Sequence, residues 1–368
     1  MATHNYLSLT ETIELIIASL EADTPIHLIG SPGIGKTAIL SVIAKMLGVP
    51  LYTLILSQCQ PEDMGGIPSR EEGKDAQGVV RRWIERYPIG PIAKACQVPG
   101  ILFLDEYSQA NAPLQGASLR LINERDAGDS RLHPSTRIVL ASNPTDEAAS
   151  GSDITPPALN RMTHIYVRPT LPEVQSYLDT LGADGSQLQA LSRDLSATLH
   201  MAPELLQMEP PKGCAAQMLP WGSPRAWERA LRLCAALLGK GSDTSPLFAE
   251  ALIGNLGANC AHAFLAIRKV REHLPSIAEI LKDPEGAKTP HDSATSCASL
   301  GILDQVSRQD PCAAWIYAER LPKSEFQQAA GRVLLSRSMM AMKKSPLYSK
   351  AERARARILG AVGSNMSA

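Results

Sequence analysis

The stretch that decides the fold is Gly30-Ser31-Pro32-Gly33-Ile34-Gly35-Lys36-Thr37. It has the form GxxxxGK[ST], in which the glycines let the backbone wrap around a polyphosphate with its N–H groups pointing inward. A short apolar run, 25–29, precedes it, and a segment of helical spacing, 36–47, follows it. An accidental glycine-rich turn is the alternative, and the flanking strand and helix argue against it. We therefore predict that residues 30–37 bind nucleotide phosphates, with Lys36 reaching the β- and γ-phosphates and the Thr37 hydroxyl ligating Mg²⁺.

Two carboxylates follow another predicted strand. The run 101–104 is apolar throughout and leads directly to Asp105 and Glu106. A nucleotide-bound metal must be held from a second side, so we predict that Asp105 contacts Mg²⁺ through water. Glu106 is then the candidate general base that orients and polarises the attacking water. Solvated acids at a strand end are the ordinary alternative, and the phosphate loop upstream disfavours it.

Three further polar residues are candidates for a hydrolysis site. Asn143 ends the buried strand that begins at Ile138, where it would hold the lytic water between Glu106 and the γ-phosphate. Arg161 ends the short helix 156–161, and Arg225 lies in the first turn of a helix predicted over 224–238. Arginines so placed stabilise the charge of a phosphoryl group in transfer. In the alternative interpretation, Asn143 is a turn residue before a proline, and Arg161 and Arg225 form surface ion pairs.

Composition and charge exclude several classes of protein. The chain has 368 residues, of which 44% are hydrophobic and 20% charged, so it is neither disordered nor collagen-like. Its net charge of −1 provides no general attraction to nucleic acid or anionic membranes. The 7 cysteines form no CxxC pair, and neither they nor the histidines show metal-ligand spacing, which favours buried thiols in a reducing compartment. With no signal peptide and no run of about 18 apolar residues, we expect a soluble, cytoplasmic protein.

The order of predicted elements indicates two kinds of architecture. Strands at 25–29, 51–56, 101–104, 138–141 and 165–167 alternate with helices, which predicts a parallel five-stranded sheet covered on both faces. After Pro169 the patterns are helical, at 171–181, 187–199, 224–238, 247–274 and 276–281, and again from about 295 to 360. Residues 332–357 contain 8 Lys or Arg and one Glu. This basic stretch is either a solvated helix face or a surface for an acidic partner or nucleic acid.

Taken together and in this order, the motifs resemble those of AAA+ ATPases, and among them the MoxR family. The resemblance covers about residues 1–240. Further segments that match the family are 61–68, 90–92, 123–125, 142–144 and 223–226. The chain departs from the family at Asn160, where aspartate is usual, at Met162, where an aromatic residue is usual, and at 107–109.

The resemblance implies a P-loop AAA+ αβα sandwich over 1–170 with an insertion at about 58–100. An all-helical lid is expected over 171–290. The helical pattern beyond it predicts a C-terminal extension over 291–368, and the long interval between Pro169 and Arg225 predicts an extra loop in the lid near 208–220. Members of the family form rings, most often hexamers, with Mg-ATP between subunits. Arg161 would then be the arginine finger that reaches a neighbour's site, while Asn143 and Arg225 would be the sensor-1 and sensor-2 residues.

The resemblance also implies a function, which is remodelling or activation of a protein client, frequently alongside a partner with a von Willebrand factor A domain. The segment 78–87 carries Trp83 and three arginines and is a candidate for contacting that partner in or above the ring pore. In the alternative interpretation, Trp83 is a core anchor and the arginines are a solvated face. Two other functions stay open: a DNA-directed motor, which the net charge disfavours, and a nucleotide-gated scaffold with little turnover, which Glu106 and Asn143 disfavour.

Overall fold

A parallel sheet forms the centre of the first part of the chain. The computed structural model describes residues 5–144, 154–181, 186–211, 219–240, 246–271, 273–335, 342–343 and 345–364. In chain order the strands are Tyr6–Leu7 (β1), Ile26–Ile29 (β2), Leu51–Ile55 (β3), Ile67–Lys74 (β4), Val80–Tyr87 (β5), Ile101–Asp105 (β6), Asp126–Ala127 (β7), Ser130–Arg131 (β8), Arg137–Ser142 (β9) and Thr163–Val167 (β10). Among the described residues the central sheet has six strands, in the order β1-β10-β2-β9-β6-β3, and every neighbouring pair is parallel.

Helices account for most of the remaining regular structure. They are Leu9–Glu21 (α1), Lys36–Leu47 (α2), Pro61–Gly65 (α3), Gly90–Gln97 (α4), Ala112–Asn123 (α5), Pro156–Leu159 (α6), Leu171–Thr180 (α7), Gln187–Met201 (α8), Pro224–Leu238 (α9), Pro246–Leu256 (α10), Ala258–Arg271 (α11), Ile277–Lys282 (α12), Ser293–Gln309 (α13), Pro311–Glu319 (α14), Ser324–Leu335 (α15) and Tyr348–Ser364 (α16). None of the helices in the described ranges combines the length and the apolar character that crossing a bilayer requires.

Alternation along the central strands builds two hydrophobic cores, one on each face of the sheet. In β6, Leu102 and Leu104 pack with residues of α3, α4 and α5, whereas Ile101 and Phe103 pack with residues of α1 and α2. Burying each such side chain contributes about 1.5–3 kcal/mol, so strands that are apolar on both faces must lie between two layers of helices. The predicted α/β fold with a parallel central sheet is confirmed. All five predicted strands are present, and β1 is a sixth, too short to show a hydrophobic pattern.

An antiparallel hairpin interrupts the alternation between β3 and β6. β4 and β5 pair from Ile67 opposite Tyr87 to Lys74 opposite Val80. The connecting turn is held by Asp75, whose Oδ1 accepts hydrogen bonds from the backbone N–H of Gln77 at 3.0 Å and of Val79 at 2.9 Å. Short helices α3 and α4 flank the hairpin. The segment expected to be an insertion at 58–100 thus contains a helix, a hairpin and a second helix.

Contacts divide the chain into two units, Met1–Glu173 and Val174–Ala368. The described residues of the second unit form helices and no strand. Trp227 is fully buried in α9, and its indole Nε1 donates to the carbonyl oxygen of Leu205 at 2.8 Å. Helix α14 is apolar on all sides and buried along most of its length, as such a helix must be. Burial raises the pKa of Tyr317 in that helix to about 12.

The prediction of one continuous helix over 247–274 in the second unit is wrong. The pattern over 247–274 predicts a single helix, but the structure has α10 and α11 with a break at Gly257, where φ is +79°. A Cβ at this position would lie 2.6 Å from the carbonyl oxygen of Pro220, so the close approach of another segment requires glycine here. Apolar spacing continues through the break because both helices bury residues. The separation of a lid at 171–290 from an extension at 291–368 stays a prediction.

Two other predicted features lie partly outside the described residues. The extra loop is expected at 208–220, and its residues 212–218 lie outside the described part of the chain. In the basic stretch, residues 336–341 and 344 lie outside it as well. Elsewhere in that stretch Lys350 Nζ lies 2.8 Å from Glu285 Oε2, and Arg357 forms an ion pair with Glu319 at 2.5 Å. Part of the positive charge is therefore paired within the second unit.

Candidate functional site

The predicted phosphate-binding loop, residues 30–37, lies between the end of β2 and the start of α2. Gly35 precedes the helix with φ +102°, a left-handed conformation, and no side chain caps the first turn of α2. The first backbone N–H groups of the helix therefore point towards the space that the loop encloses, and together with the helix dipole they favour an anion there. At Gly30 a Cβ would lie 2.8 Å from the carbonyl oxygen of Val167 in β10, so only glycine lets the loop start so close to the neighbouring strand.

Lys36 is folded back across this loop. Only 9% of the residue is exposed, and its ammonium donates to Asn143 Oδ1 at 2.9 Å, to the Ser31 carbonyl at 3.2 Å and to the Gly30 carbonyl. These three acceptors are uncharged oxygens. A phosphate on the loop would offer the same ammonium a charged acceptor, and hydrogen bonds of that kind are roughly twice as strong as neutral ones. The structure thus brings the predicted residues Lys36 and Asn143 together.

Thr37 and Asp105 meet on the other side of the loop. The Thr37 hydroxyl donates to Asp105 Oδ2 at 3.0 Å, and the second carboxylate oxygen, Oδ1, accepts from the Glu106 N–H at 2.9 Å. A hydroxyl and a carboxylate are the hard oxygen donors that Mg²⁺ prefers. Within the described ranges no group of three or more His, Cys, Asp or Glu side chains is placed to hold a metal. Mg²⁺ at this point would take its remaining ligands from phosphate oxygens and water, as it commonly does.

Glu106 has an unusual backbone conformation and a partner that sequence analysis missed. Its φ of +57° and ψ of +39° lie in the left-handed region, which costs a non-glycine residue about 1–2 kcal/mol. Its carboxylate accepts a hydrogen bond from the Ser57 hydroxyl. Ser57 follows β3, and β3 is the neighbour of β6 on the side away from β2. The signal for Ser57 was a hydroxyl after a predicted strand, but the sequence does not give the order of the strands.

The two candidate arginines lie elsewhere. Arg161 follows α6 in the first unit, and its side chain is exposed. It takes no part in the hydrogen bonds between Lys36 and Asn143 or between Thr37 and Asp105. Arg225 is exposed in the first turn of α9 in the second unit, where the Ser223 hydroxyl caps the helix. An exposed arginine is available to a neighbouring molecule.

Comparison with known families adds to this geometry. Residues 25–162 match the model of the AAA domain of the dynein-related subfamily. The chain is 29% identical to the uncharacterized protein MJ0812 of Methanocaldococcus jannaschii over 121 residues. This match covers 33% of this chain and 30% of that protein. It is also 29% identical to Midasin of Giardia intestinalis over 160 residues, and this match covers 41% of this chain and 3% of Midasin. The matches therefore span less than a third of each relative.

Solved structures with similar folds include a Thermotoga maritima RuvB mutant, with a TM-score of 0.42, 14% identity, and coverage of 75% of this chain and 78% of that one. For NtrX from Brucella abortus the TM-score is 0.42 and the identity 15%, and the match covers 90% of this chain and 69% of the NtrX chain. The parallel central sheet between two layers of helices makes the first unit an α/β fold. More narrowly, residues 25–162 are similar to the AAA domain of the dynein-related subfamily. The MoxR subtype stays a prediction, as does the cytoplasmic location.

Proposed function

We propose that this protein is an AAA+ ATPase that hydrolyses Mg-ATP and uses the turnover to remodel or activate a partner protein. The observation that carries the proposal is the convergence of two pairs at one edge of the sheet. Lys36 meets Asn143 and Thr37 meets Asp105, at the carboxyl ends of β2, β9 and β6. Ligands of open α/β sheets bind at this edge.

Each residue would have a distinct task in the reaction. The loop N–H groups and Lys36 hold the β- and γ-phosphates, and Thr37 and Asp105 hold Mg²⁺, which when bound neutralises charge on the phosphates. Glu106 orients the attacking water and accepts its proton, and Asn143 keeps that water in line with the γ-phosphate. Hydrolysis of this kind needs no covalent intermediate, because positioning and charge stabilisation lower the barrier.

Ser57 would control when Glu106 acts. The hydroxyl holds the carboxylate on the β3 side of β6, whereas the phosphate loop follows β2 on the opposite side. A general base must come within hydrogen-bond reach of the water from which it takes a proton. Glu106 would therefore have to leave Ser57 before hydrolysis.

We further propose a ring, most often a hexamer, in which Arg161 completes the site of a neighbouring subunit. The exposure of Arg161 supports this role, since a finger that acts in trans must be free to reach another chain. Arg225 would stabilise the phosphates from the helical unit, as sensor 2. An isolated subunit would then hydrolyse ATP slowly, so turnover would depend on assembly.

The hairpin β4–β5 is the proposed contact for a protein client or for a partner with a von Willebrand factor A domain. Trp83 is 47% exposed and Ile84 70% exposed, so the interpretation of Trp83 as a core anchor is wrong. The indole lies across Gly73 of the paired strand, where a Cβ would come within 2.9 Å of the ring. Exposed large apolar side chains beside one another are typical of sites that bind other proteins. Trp83→Ala should retain basal ATPase activity and lose stimulation by the partner, and unchanged stimulation would contradict this role.

A DNA-directed motor and a scaffold with little turnover remain alternative functions. Pairing of Lys350 with Glu285 and of Arg357 with Glu319 reduces the free positive charge available to DNA. ATPase activity stimulated by DNA, with a steep dependence on salt, would favour the motor. A protein that binds ATP and releases no phosphate in steady state would favour the scaffold.

The proposed hydrolysis can be tested by two substitutions and one control. Glu106→Gln should bind mant-ATP as wild type does and hydrolyse ATP about 10²–10⁴-fold more slowly, because it loses the general base. Lys36→Ala should lose nucleotide binding. Glu62→Gln, which removes a carboxylate from the surface of α3, should change neither property. Wild-type rates of phosphate release in both site variants would refute the proposal.

A further inference from the structure

A pair of histidines, of which His27 is buried and His164 half-buried, connects three neighbouring strands of the sheet. His27 in β2 and His164 in β10 are register partners, and their Nδ1 atoms lie 2.9 Å apart. The other ring nitrogen of His27, Nε2, lies 2.7 Å from the hydroxyl of Ser142 at the end of β9. His27 is completely buried, so both ring nitrogens depend on these protein partners.

One end of this chain of hydrogen bonds lies beside Asn143, and the other end lies beside the segment that carries Arg161. Ser142, which immediately precedes Asn143, accepts a hydrogen bond at 3.1 Å from the backbone N–H of Ser108. At the other end His164 Nε2 lies 2.8 Å from the carbonyl oxygen of Leu159, the last residue of α6. Arg161 follows two residues later. We call this chain the histidine relay; its members are Ser108, Ser142, His27, His164 and Leu159.

The partners determine where every proton of a neutral relay must lie. A carbonyl oxygen only accepts, so His164 carries its proton on Nε2 and accepts at Nδ1. His27 must then donate from Nδ1 and accept at Nε2, which makes the Ser142 hydroxyl the donor to His27. The Ser142 oxygen is left to accept from Ser108, as the geometry shows. Both ring nitrogens of each histidine and the Ser142 hydroxyl are then satisfied, and the four hydrogen bonds run in one direction from the Ser108 N–H to the Leu159 carbonyl.

The surroundings of His27 keep its ring neutral. Burial, with smaller contributions from His164 and Lys36, lowers the pKa of His27 to about 3. A second proton on His164 would make its Nδ1 a donor, and both His27 and the Ser142 hydroxyl would then have to reverse. Each donor in the neutral relay is therefore fixed by its partners, and neighbouring hydrogen bonds in such a chain strengthen one another.

We propose that His27 and His164 are positioning residues that tie the backbone before Arg161 to the strand end that carries Asn143. A phosphate that draws Lys36 away from Asn143 would move the end of β9, and the relay would pass this movement to the segment of Arg161. Occupancy of one site would thereby set the position of the arginine that completes the next subunit's site. This inference rests on the proposed function, which gives Asn143 and Arg161 their roles.

The test compares two substitutions of His164 in the full chain. In His164→Gln the carboxamide oxygen can accept from His27 while its N–H donates to Leu159, so the relay is kept. His164→Leu has a similar size and removes both hydrogen bonds. We expect His164→Leu to lower kcat for Mg-ATP about tenfold with KM and the Kd of mant-ATP unchanged within about twofold, and His164→Gln to restore kcat to within about threefold of wild type.

Two further measurements separate the relay from a merely structural role. In an Arg161→Ala background His164→Leu should lower kcat no further, because both changes act through the same group. Hydrogen exchange of the backbone at 156–163 should respond to ATPγS in wild type and His164→Gln, and not in His164→Leu. If His164→Leu does not fold, Ser142→Ala breaks the relay at its other end by removal of one oxygen, and the same results are expected of it.

The outcomes distinguish this inference from the proposed function. Equal loss of kcat in the Leu and Gln variants, or effects that multiply with that of Arg161→Ala, would overturn the relay. An impaired Arg161→Ala protein beside a fully active His164→Leu protein would also overturn the relay and leave the proposed function intact. An Arg161→Ala protein as active as wild type would refute the proposed role of Arg161, and the relay with it.

Discussion

Acid should destabilise the first unit through His27. The pKa of this buried imidazole is about 3 in the folded protein, against 6.5 for an ordinary histidine. As the pH falls below 6.5 the unfolded chain takes up a proton that the folded chain does not accept until the pH nears 3. The free energy of unfolding must therefore decrease between these values, by about 1.4 kcal/mol per pH unit. Between pH 7 and pH 5 the loss from His27 alone is about 2 kcal/mol.

The assay compares wild type with His27→Gln, whose side chain does not titrate in this range. Because the two units need not unfold together, urea unfolding is best followed by the protection of backbone amides in β2 during a brief deuterium pulse. Other groups with shifted pKa values, such as Glu173, are common to both proteins and cancel. Wild type should lose about 2 kcal/mol more than His27→Gln between pH 7 and pH 5. Equal losses would refute the inference that His27 is held neutral by burial.

Three other substitutions test particular contacts. Ser57→Ala frees the Glu106 carboxylate and should raise basal phosphate release about threefold with unchanged ATP affinity; a lower rate would mean that Ser57 orients the base. Trp227→Ala should destabilise the second unit by about 3–5 kcal/mol in urea, and a loss below 1 kcal/mol would contradict its burial. Gly30→Ala should weaken mant-ATP binding at least about tenfold, whereas Gly116→Ala, in open space on α5, should not, and equal affinities would contradict the close approach at Gly30.

Much of the first unit could be predicted because its signals are local. The eight residues 30–37 define a loop by themselves, and the apolar runs around 101–104 and 138–141 need no partner to be recognised as strands. Asp105 stands directly after such a run and Asn143 one residue further on, which is why both were found. The observed contacts between Lys36 and Asn143 follow from that placement.

What could not be predicted depends on neighbours across the sheet. Ser57 matters because β3 lies beside β6, and the relay exists because β2 lies between β9 and β10. In the sequence His27 and His164 are two isolated histidines in apolar runs, 137 residues apart. The break at Gly257 was missed for a similar reason, since the approach of Pro220 that requires it is a tertiary contact.

A structure of the Glu106→Gln protein with Mg-ATP tests the proposed site most directly. We expect the β- and γ-phosphates to lie on residues 30–37 within hydrogen-bond distance of Lys36 Nζ. The hydrogen bond from the Thr37 hydroxyl to Asp105 should be broken, with the Thr37 oxygen now a ligand of Mg²⁺ and its proton retained. A nucleotide bound elsewhere, with Lys36 still on Asn143 and Thr37 still on Asp105, would contradict the proposal.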